Sequence, residues 1–332
     1  MKRIVLPSDI APSVPLCLSV EEWAGSFLPR GEYFMAWQVA PSVICGRHQD
    51  IALEVDLAEA RRSGLGVWRR RSGGGAVLAD ANNVMLSYIA PSTSVGEAFA
   101  RYTSRIIELL DLLGIRAEAT GRNDITLGDR KVAGNAFMRL PHSVVVHGTM
   151  LIDTDEGLME RVLTPSRAKR ESKGVVSVPS RVTTLRREGL KLSPSEFIDH
   201  ANACFCPEED GRVEIGPADM PAIRQLMERY TDPAFLRLEP RGEAVRCAPV
   251  YADGVGQLRF SLTLDSDSRV ASASLDGDFF ALRDISEAVI APLIGLPYSI
   301  DSFKERLRLS DAASAIAGCS DETLLRAMFN RQ

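Results

Sequence analysis

Three arginines, Arg69, Arg70 and Arg71, run directly into Ser72 and three consecutive glycines, Gly73 to Gly75, before an apolar stretch begins at Ala76. Glycine tolerates positive φ and lets a ligand come close to the main chain, so a run of glycines can aim several N–H groups at one anion. The spacing is not that of a Walker A loop, which needs Lys-Ser or Lys-Thr after its last glycine, nor that of GxGxxG. If GVWRRRS is a strand, alternation places Trp68, Arg70 and Ser72 on one face and Val67, Arg69 and Arg71 on the other. Arg70 beside Ser72 and the glycines then makes a planar clamp for carboxylate or phosphate. A solvated basic edge strand is the competing reading.

Two further segments add charge. Lys131 follows a turn at Gly128 and Asp129 and precedes Gly134, with small residues around it, which suggests a lysine lying over a sheet face rather than one serving solubility. SRAKRESKG carries Arg167, Lys169, Arg170 and Lys173, and Arg181 follows; such a cluster is either a basic loop that folds over a nucleotide or a solvated charge run. Other conspicuous residues point elsewhere. The histidines show no metal-ligand spacing, and Cys45 lies in an apolar strand where a buried, inert thiol is expected.

These residues need elements to hold them. SVEEWAGSFL reads as an early helix opened by a Ser19–Glu22 capping box, and a clear amphipathic helix runs from about Ser94 to Leu113, ended by Gly114. GVWRRRS and NVMLSYIA read as strands joined by the glycine turn, DITLGDRKVAGNAFMR as a hairpin, and SVVVHGTMLID as a further strand. A helix begins at Ser193, with Pro194 at its first position and Glu196 completing the box. The stretch 207–246, rich in proline, glycine and charge, reads as a link between domains, with one amphipathic segment near 221–230. Beyond it, three or so strands and helices near 285–294, 299–309 and 321–329 predict a small α+β unit, giving domains over 1–240 and 247–332.

Composition narrows the partners. With 39 basic against 44 acidic residues the net charge is -5, so attraction to nucleic acid or anionic membrane is not expected of the whole molecule. Six scattered cysteines lack zinc spacing, the opening residues lack the apolar core of a secretion signal, and no run is long enough to cross a bilayer, which together point to a cytoplasmic protein with reduced thiols.

Four blocks taken together, RRRSGGGAVLADANN, GRNDITLGDRKVAGNAF, HGTMLIDTD and KGVVSVPSRVTTL, resemble the lipoate-protein ligases of the biotin and lipoate ligase superfamily, with weaker support from SVEE and GRHQD. The resemblance covers residues 15–190, and the C-terminal unit looks like the accessory domain of the two-domain bacterial ligases. It implies an α+β fold: a mixed-sheet catalytic domain similar to class II aminoacyl-tRNA synthetase and biotin ligase cores, plus a small α+β accessory domain. It also implies that ATP and lipoate form lipoyl-adenylate and pyrophosphate, with Mg²⁺ on the polyphosphate. The lipoyl group then passes to a lysine of lipoyl domains, as in 2-oxoacid dehydrogenase E2 subunits and the glycine cleavage H protein, and a monomer is expected.

Carried onto this sequence, Arg70, Gly75, Ala76, Val77 and Leu78 would contact ATP, and Lys131 both ATP and lipoate as the catalytic residue. Arg70, Ser72, Gly74, His147 and Gly148 would line the lipoate side, Asn83 and Asp124 would support the pocket, and Asp124 could hold the metal. The sequence departs from the family at Ala79–Asn83, where a His-Asp pair followed by Gly-Asn is usual, and at Asn135, where serine is common. Two alternatives stay open: an octanoyl or lipoyl transferase, which needs a nucleophilic thiol near the pocket, and a non-catalytic module that binds lipoyl proteins. No cysteine occurs between Cys45 and Cys204.

Overall fold

In the computed structural model, which describes residues 1–91, 94–164, 182–207, 211–238 and 245–330, the longest period-two runs of the sequence become neighbouring strands. Strands β1 (Lys2–Val5), β2 (Tyr33–Trp37), β6 (Asn83–Pro91), β7 (Glu118–Thr120), β8 (Asp124–Leu127), β9 (Arg130–Arg139), β10 (Ser143–Leu151) and β11 (Arg212–Glu214) build one sheet in the order β11-β1-β2-β6-β10-β9-β8-β7. Pairing is parallel at β11-β1-β2 and antiparallel beyond, so the sheet is mixed. Strands β3 (Ser42–Cys45), β4 (Gly66–Arg69) and β5 (Val77–Ala79) form a separate small sheet in the order β4-β3-β5. The glycine run therefore does not close a hairpin between GVWRRRS and NVMLSYIA. Those two strands lie in different sheets, because the short apolar run 77–79 pairs with β3 before the chain enters β6.

Helices cover both faces of the large sheet. The helix Val95–Leu112 buries Tyr102, Ile106, Leu109 and Leu110, and with Pro194–Phe205 it covers one face. Full burial of each such side chain contributes about 1.5–3 kcal/mol. The helix Val14–Phe27 covers the other face and packs against Met220–Thr231. It starts before the Ser19–Glu22 box: Ser13 is its N-cap, accepting from the Leu16 N–H, and Pro15 occupies the first turn. Ser19 is instead mid-helix and fully buried, because a stronger start signal, serine followed by proline, stands six residues earlier. The Ser193–Glu196 capping box does form as read from the sequence.

Within the stretch 207–246, residues 212–214 add strand β11 to the large sheet, and the helix Met220–Thr231 places Ile223 and Tyr230 in the core under Val14–Phe27. The C-terminal residues have their own core. Strands β12 (Val245–Arg246) and β13 (Val250–Ala252) pair in succession along one edge of β14 (Gly256–Leu264), with β15 (Val270–Gly277) along the other. The helices Ile300–Ser310 and Asp321–Phe329 contribute Phe303, Leu307, Leu324 and Met328 to that core. The segment read as a helix near 285–294 is a π turn, Ser286–Ile290, followed by a 3₁₀ turn, Ala291–Leu293. Pro292 has no N–H to continue an α-helical ladder there.

The two units meet at His48, whose ring stacks on Phe279 with centroids 4.7 Å apart and whose carbonyl accepts from the Gly277 N–H. Burial, reinforced by Arg47, Arg237 and Arg69, pushes the His48 pKa down to about 3. An unfolded chain would bind this proton from about pH 6.5 downward while the folded one would not, so stability is lost as pH falls from 6.5 toward 3. Chemical denaturation of His48→Phe is expected to show a smaller acid loss than the parent, by about 2–4 kcal/mol across that window. Parallel pH profiles of the two proteins would count against this assignment.

Candidate active site

The glycine loop is organised from within by Arg70. This guanidinium is 6% exposed, and it donates from Nε to Ser72 Oγ (2.9 Å), from Nη1 to the Ile44 carbonyl (2.9 Å) and from Nη2 to the carbonyls of Gly73 (2.6 Å) and Gly75 (2.8 Å). Four contacts on one rigid fork fix the loop's curvature, which also requires φ +87° at Gly74. Burial holds the Arg70 pKa down to about 10, with Cys45 and Glu21 opposing, so the side chain remains a cation at neutral pH. As the alternation predicts, its neighbours turn away. Arg69 donates to the carbonyls of Gly46, Arg47 and Gln49, and Arg71 pairs with Glu22. The C-terminal unit also touches the loop: the Gly74 N–H donates to the Phe279 carbonyl at 3.3 Å.

Lys131 lies across the cavity from this loop, and a β-bulge puts it there. Residues 131 and 134 would face opposite sides of an ideal strand, but the β8–β9 register shifts between Ile125 and Thr126, so the lysine folds back over Gly134. Its Nζ lies 2.7 Å from Asp124 Oδ1. A methyl group at position 134 would stand 2.5 Å from Lys131 Nζ and 2.8 Å from its Cε. Gly134→Ala is therefore expected to leave the fold intact, because the flexible lysine end gives way, and to slow nucleotide chemistry by about tenfold or more through displaced charge. Steady-state rates and a melting curve on the same variant would separate the two effects.

Between the small and large sheets lies a cavity of about 210 Å³. Of the residues singled out in the sequence, Arg70, Gly74 to Leu78, Asp124, Lys131, His147 and Gly148 line it. Two others stand behind its wall. Ser72 is 1% exposed with its hydroxyl between Arg70 and His147, and Asn83 holds the Leu78 carbonyl (2.8 Å) while accepting from Thr154. The departing segment Ala79–Asn83 makes a tight turn in which the Asp80 carboxylate accepts from the Asn82 N–H at 2.8 Å. The basic cluster 167–173 and Arg181 lie outside the described residues.

The rest of the wall explains itself by polarity. Leu18, Ile44, Met85, Leu151, Met159 and Leu163 make one part of the cavity apolar, suited to a hydrocarbon chain, whereas Lys131, Asp124, Arg70 and Arg122 make the other charged. Arg122 belongs to the segment GRNDITLGDRKVAGNAF, where no local pattern distinguishes it. It donates to the carbonyls of Val255 and Asp278 (2.6 Å to the latter) and lies 4.5 Å over the Phe280 ring, which ties the C-terminal unit to the cavity. Asp278 and Glu54 also reach the wall. Nothing local in the sequence marks Asp278, because its place at the cavity depends on packing between units some 150 residues apart in the chain.

Thiol chemistry finds no foothold. None of the cavity's described wall residues is a cysteine, all six cysteines are unbridged, and burial drives the Cys45 thiol up to about 12 despite Arg69 and Arg70 nearby. Among the described residues no three His, Cys, Asp or Glu side chains cluster to hold a metal, and Asp124 already pairs with Lys131.

Residues 16–206 match the family described as the lipoyl protein ligase A/B catalytic domain. Lipoate–protein ligase 1 of Staphylococcus aureus is 28% identical over 320 residues, covering 94% of this chain and 96% of that protein. Among solved structures, P. falciparum LipL1 in complex with lipoate superposes with a TM-score of 0.74 at 19% identity, over 92% of this chain and 93% of that one. A lipoate-protein ligase A bound with ATP gives a TM-score of 0.59 at 20% identity, over 72% of this chain and 99% of that one. At such identities the structural likeness speaks to the fold, an α+β arrangement on a mixed sheet.

Proposed function

The chain belongs to the lipoyl protein ligase A/B catalytic-domain family, and from that membership we propose that it is an ATP-dependent lipoate-protein ligase. The observation that carries this reading is a single cavity with an apolar part for an acyl chain and, beside it, Lys131 facing the Arg70-organised loop. In the first step a carboxylate oxygen of lipoate attacks the α-phosphorus of ATP; an O–P bond forms, the bond to the β-phosphate breaks, and pyrophosphate leaves. Two anions must meet, so the barrier is largely electrostatic, and a fixed ammonium with preorganised donors lowers it. In the second step the amine of an acceptor lysine attacks the acyl carbon, AMP departs, and the amine's proton is lost; in this reading Asp124, which pairs with Lys131, receives it.

In this reading Lys131 serves both reactants, Gly75 to Leu78 cradle the nucleotide, and Ser72, Asn83 and His147 brace the wall. Mg²⁺ would accompany ATP and offset the polyphosphate charge. The acceptors are lysines of lipoyl domains, the protein acts as a monomer in the cytoplasm, and residues 1–240 and 247–332 are its catalytic and accessory domains. Among the described residues no helix is long and apolar enough to cross a membrane. The reading is tested by weighing an apo lipoyl domain after incubation with the protein, lipoate and Mg²⁺, with and without ATP. A lipoyl mass gain that requires ATP is expected. No gain from free lipoate but a gain from a lipoyl or octanoyl thioester without ATP would select the transferase, and no gain from either donor the binding module.

A further inference from the structure

Glu21, fully buried in the middle of the helix Val14–Phe27, is one of the two carboxylates of SVEE, to which the proposed chemistry gives no task. Its side chain bridges two strands. Ser87 and His147 stand directly opposite each other in the β6–β10 register, both facing this helix. Glu21 Oε1 accepts from Ser87 Oγ at 2.5 Å, and Oε2 lies 2.8 Å from His147 Nδ1. Ser87 in turn accepts from Trp37 Nε1 at 2.8 Å. On the other edge of the imidazole, Nε2 lies 2.7 Å from Ser72 Oγ, which accepts from Arg70 Nε at 2.9 Å.

The two ends of this chain limit how the protons within it can point. Indole and guanidinium nitrogens only donate. Trp37 donates into Ser87, so the Ser87 hydrogen goes to Glu21. Arg70 donates into one lone pair of Ser72, whose hydroxyl either donates its hydrogen to His147 Nε2 or, through its second lone pair, accepts from it. In either case the imidazole carries a proton on Nδ1 and donates it to Glu21. Two ring forms let all five contacts be hydrogen bonds: the neutral Nδ1–H tautomer, with Ser72 donating to Nε2, and the doubly protonated ring, with Ser72 accepting from both Nε2 and Arg70. Deep burial raises the stakes, since Trp37, Ser72, Ser87, His147 and Arg70 are each at most 6% exposed and an unmatched polar atom there is costly.

We propose that Glu21 is a positioning residue for adenylation: through His147 and Ser72 it holds the Arg70 guanidinium, and with it the glycine loop, in the receptive arrangement. The proposal rests on the ligase reading above. Glu21 touches no reactant. It acts by making Nε2 an acceptor, which turns the Ser72 hydrogen toward the ring and leaves the Ser72 lone pairs to Arg70. Glutamine at position 21 has the same shape but only one accepting atom, so it can face His147 or Ser87 as glutamate does, but not both. If its amide faces the ring, His147 takes the Nε2–H tautomer and donates to Ser72 alongside Arg70.

The test uses the full-length protein labelled with ¹⁵N-histidine, whose four histidines are resolved by long-range ¹H–¹⁵N correlation and assigned with a His147→Asn control. The parent is expected to show His147 neutral with its proton on Nδ1 near pH 7.5. In Glu21→Gln the ring should shift toward Nε2–H, and kcat for lipoate-dependent pyrophosphate exchange should fall about ten- to hundredfold, the scale of one charge-assisted hydrogen bond. The KM for lipoate should move less than kcat. Ser87→Ala, which removes only the far contact, should keep the parent tautomer and lose no more than about threefold. An Nε2–H or doubly protonated ring in the parent would overturn the proposal, and that spectrum decides even if Glu21→Gln fails to fold. A folded Glu21→Gln with a switched tautomer and undiminished kcat would overturn it equally. A parent with the expected tautomer and no exchange activity would instead strike the ligase reading and leave the hydrogen-bond assignment standing.

Discussion

Trimming Lys131 to alanine is expected to lower lipoyl-adenylate synthesis by about 10²–10³-fold while the protein stays folded. Its ammonium lines the cavity together with Arg70 and Arg122, 2.7 Å from Asp124 Oδ1. Without it, two negatively charged reactants meet with one fewer cation beside them, so the loss should fall on kcat more than on the KM for lipoate, whose hydrocarbon part would rest on apolar residues. Arginine at this position should not restore the rate, because a wide planar fork cannot fold back over Gly134 as a slender ammonium does. The measurement is pyrophosphate release under saturating ATP, alongside a melting curve for each variant.

Arg70→Ala is expected to cost both stability and activity. Four acceptors, the carbonyls of Ile44, Gly73 and Gly75 and the Ser72 hydroxyl, lose their donor in a place where water is excluded. Leaving such groups unmatched, with the buried Glu21 charge no longer opposed, should lower unfolding stability by about 3–5 kcal/mol. Activity should fall further than for Lys131→Ala, since the loop that receives the nucleotide loses its shape as well as a charge. Lysine at position 70 carries charge but cannot serve four acceptors in one plane, so it should recover little. Urea denaturation and the same pyrophosphate assay give the two readings. A variant that keeps the parent's denaturation midpoint would show that the loop holds itself.

Much of this architecture was legible in the sequence because the signals were local. The stripe of Tyr102, Ile106, Leu109 and Leu110 has helical spacing, Gly114 ends the helix with φ +78°, and Ser193, Pro194 and Glu196 form the cap their order implies. The alternation of Arg69, Arg70 and Arg71 correctly separates the residue beside Ser72 from its neighbours. What the sequence hid was long-range. The glycine run stays within the small sheet, linking β4 to β5, because residues 77–79 pair with β3, a choice that no periodicity over three residues can reveal. The bulge that turns Lys131 onto Gly134 appears only once β8 is paired. Glu21 and Asp278 reach the site region from the first helix and from the C-terminal unit, so their importance comes from packing and not from spacing.

The reading of Arg70 also changes in kind. Sequence alternation makes it an anion clamp, whereas the structure commits its donors to the carbonyls of Gly73 and Gly75 in the loop, the Ser72 hydroxyl and the Ile44 carbonyl of β3. It contributes charge at the cavity wall and, at the same time, the shape of the loop. In the proposed ligase reading, Lys131 is the group that meets the reacting atoms.

The most direct measurement follows oxygen. With lipoate labelled by ¹⁸O in its carboxylate, one turnover onto an apo lipoyl domain should place a single ¹⁸O in AMP and none in pyrophosphate, because the carboxylate oxygen that attacks the α-phosphorus leaves with it. Label appearing in inorganic phosphate together with ADP, or AMP formed without label, would contradict the account.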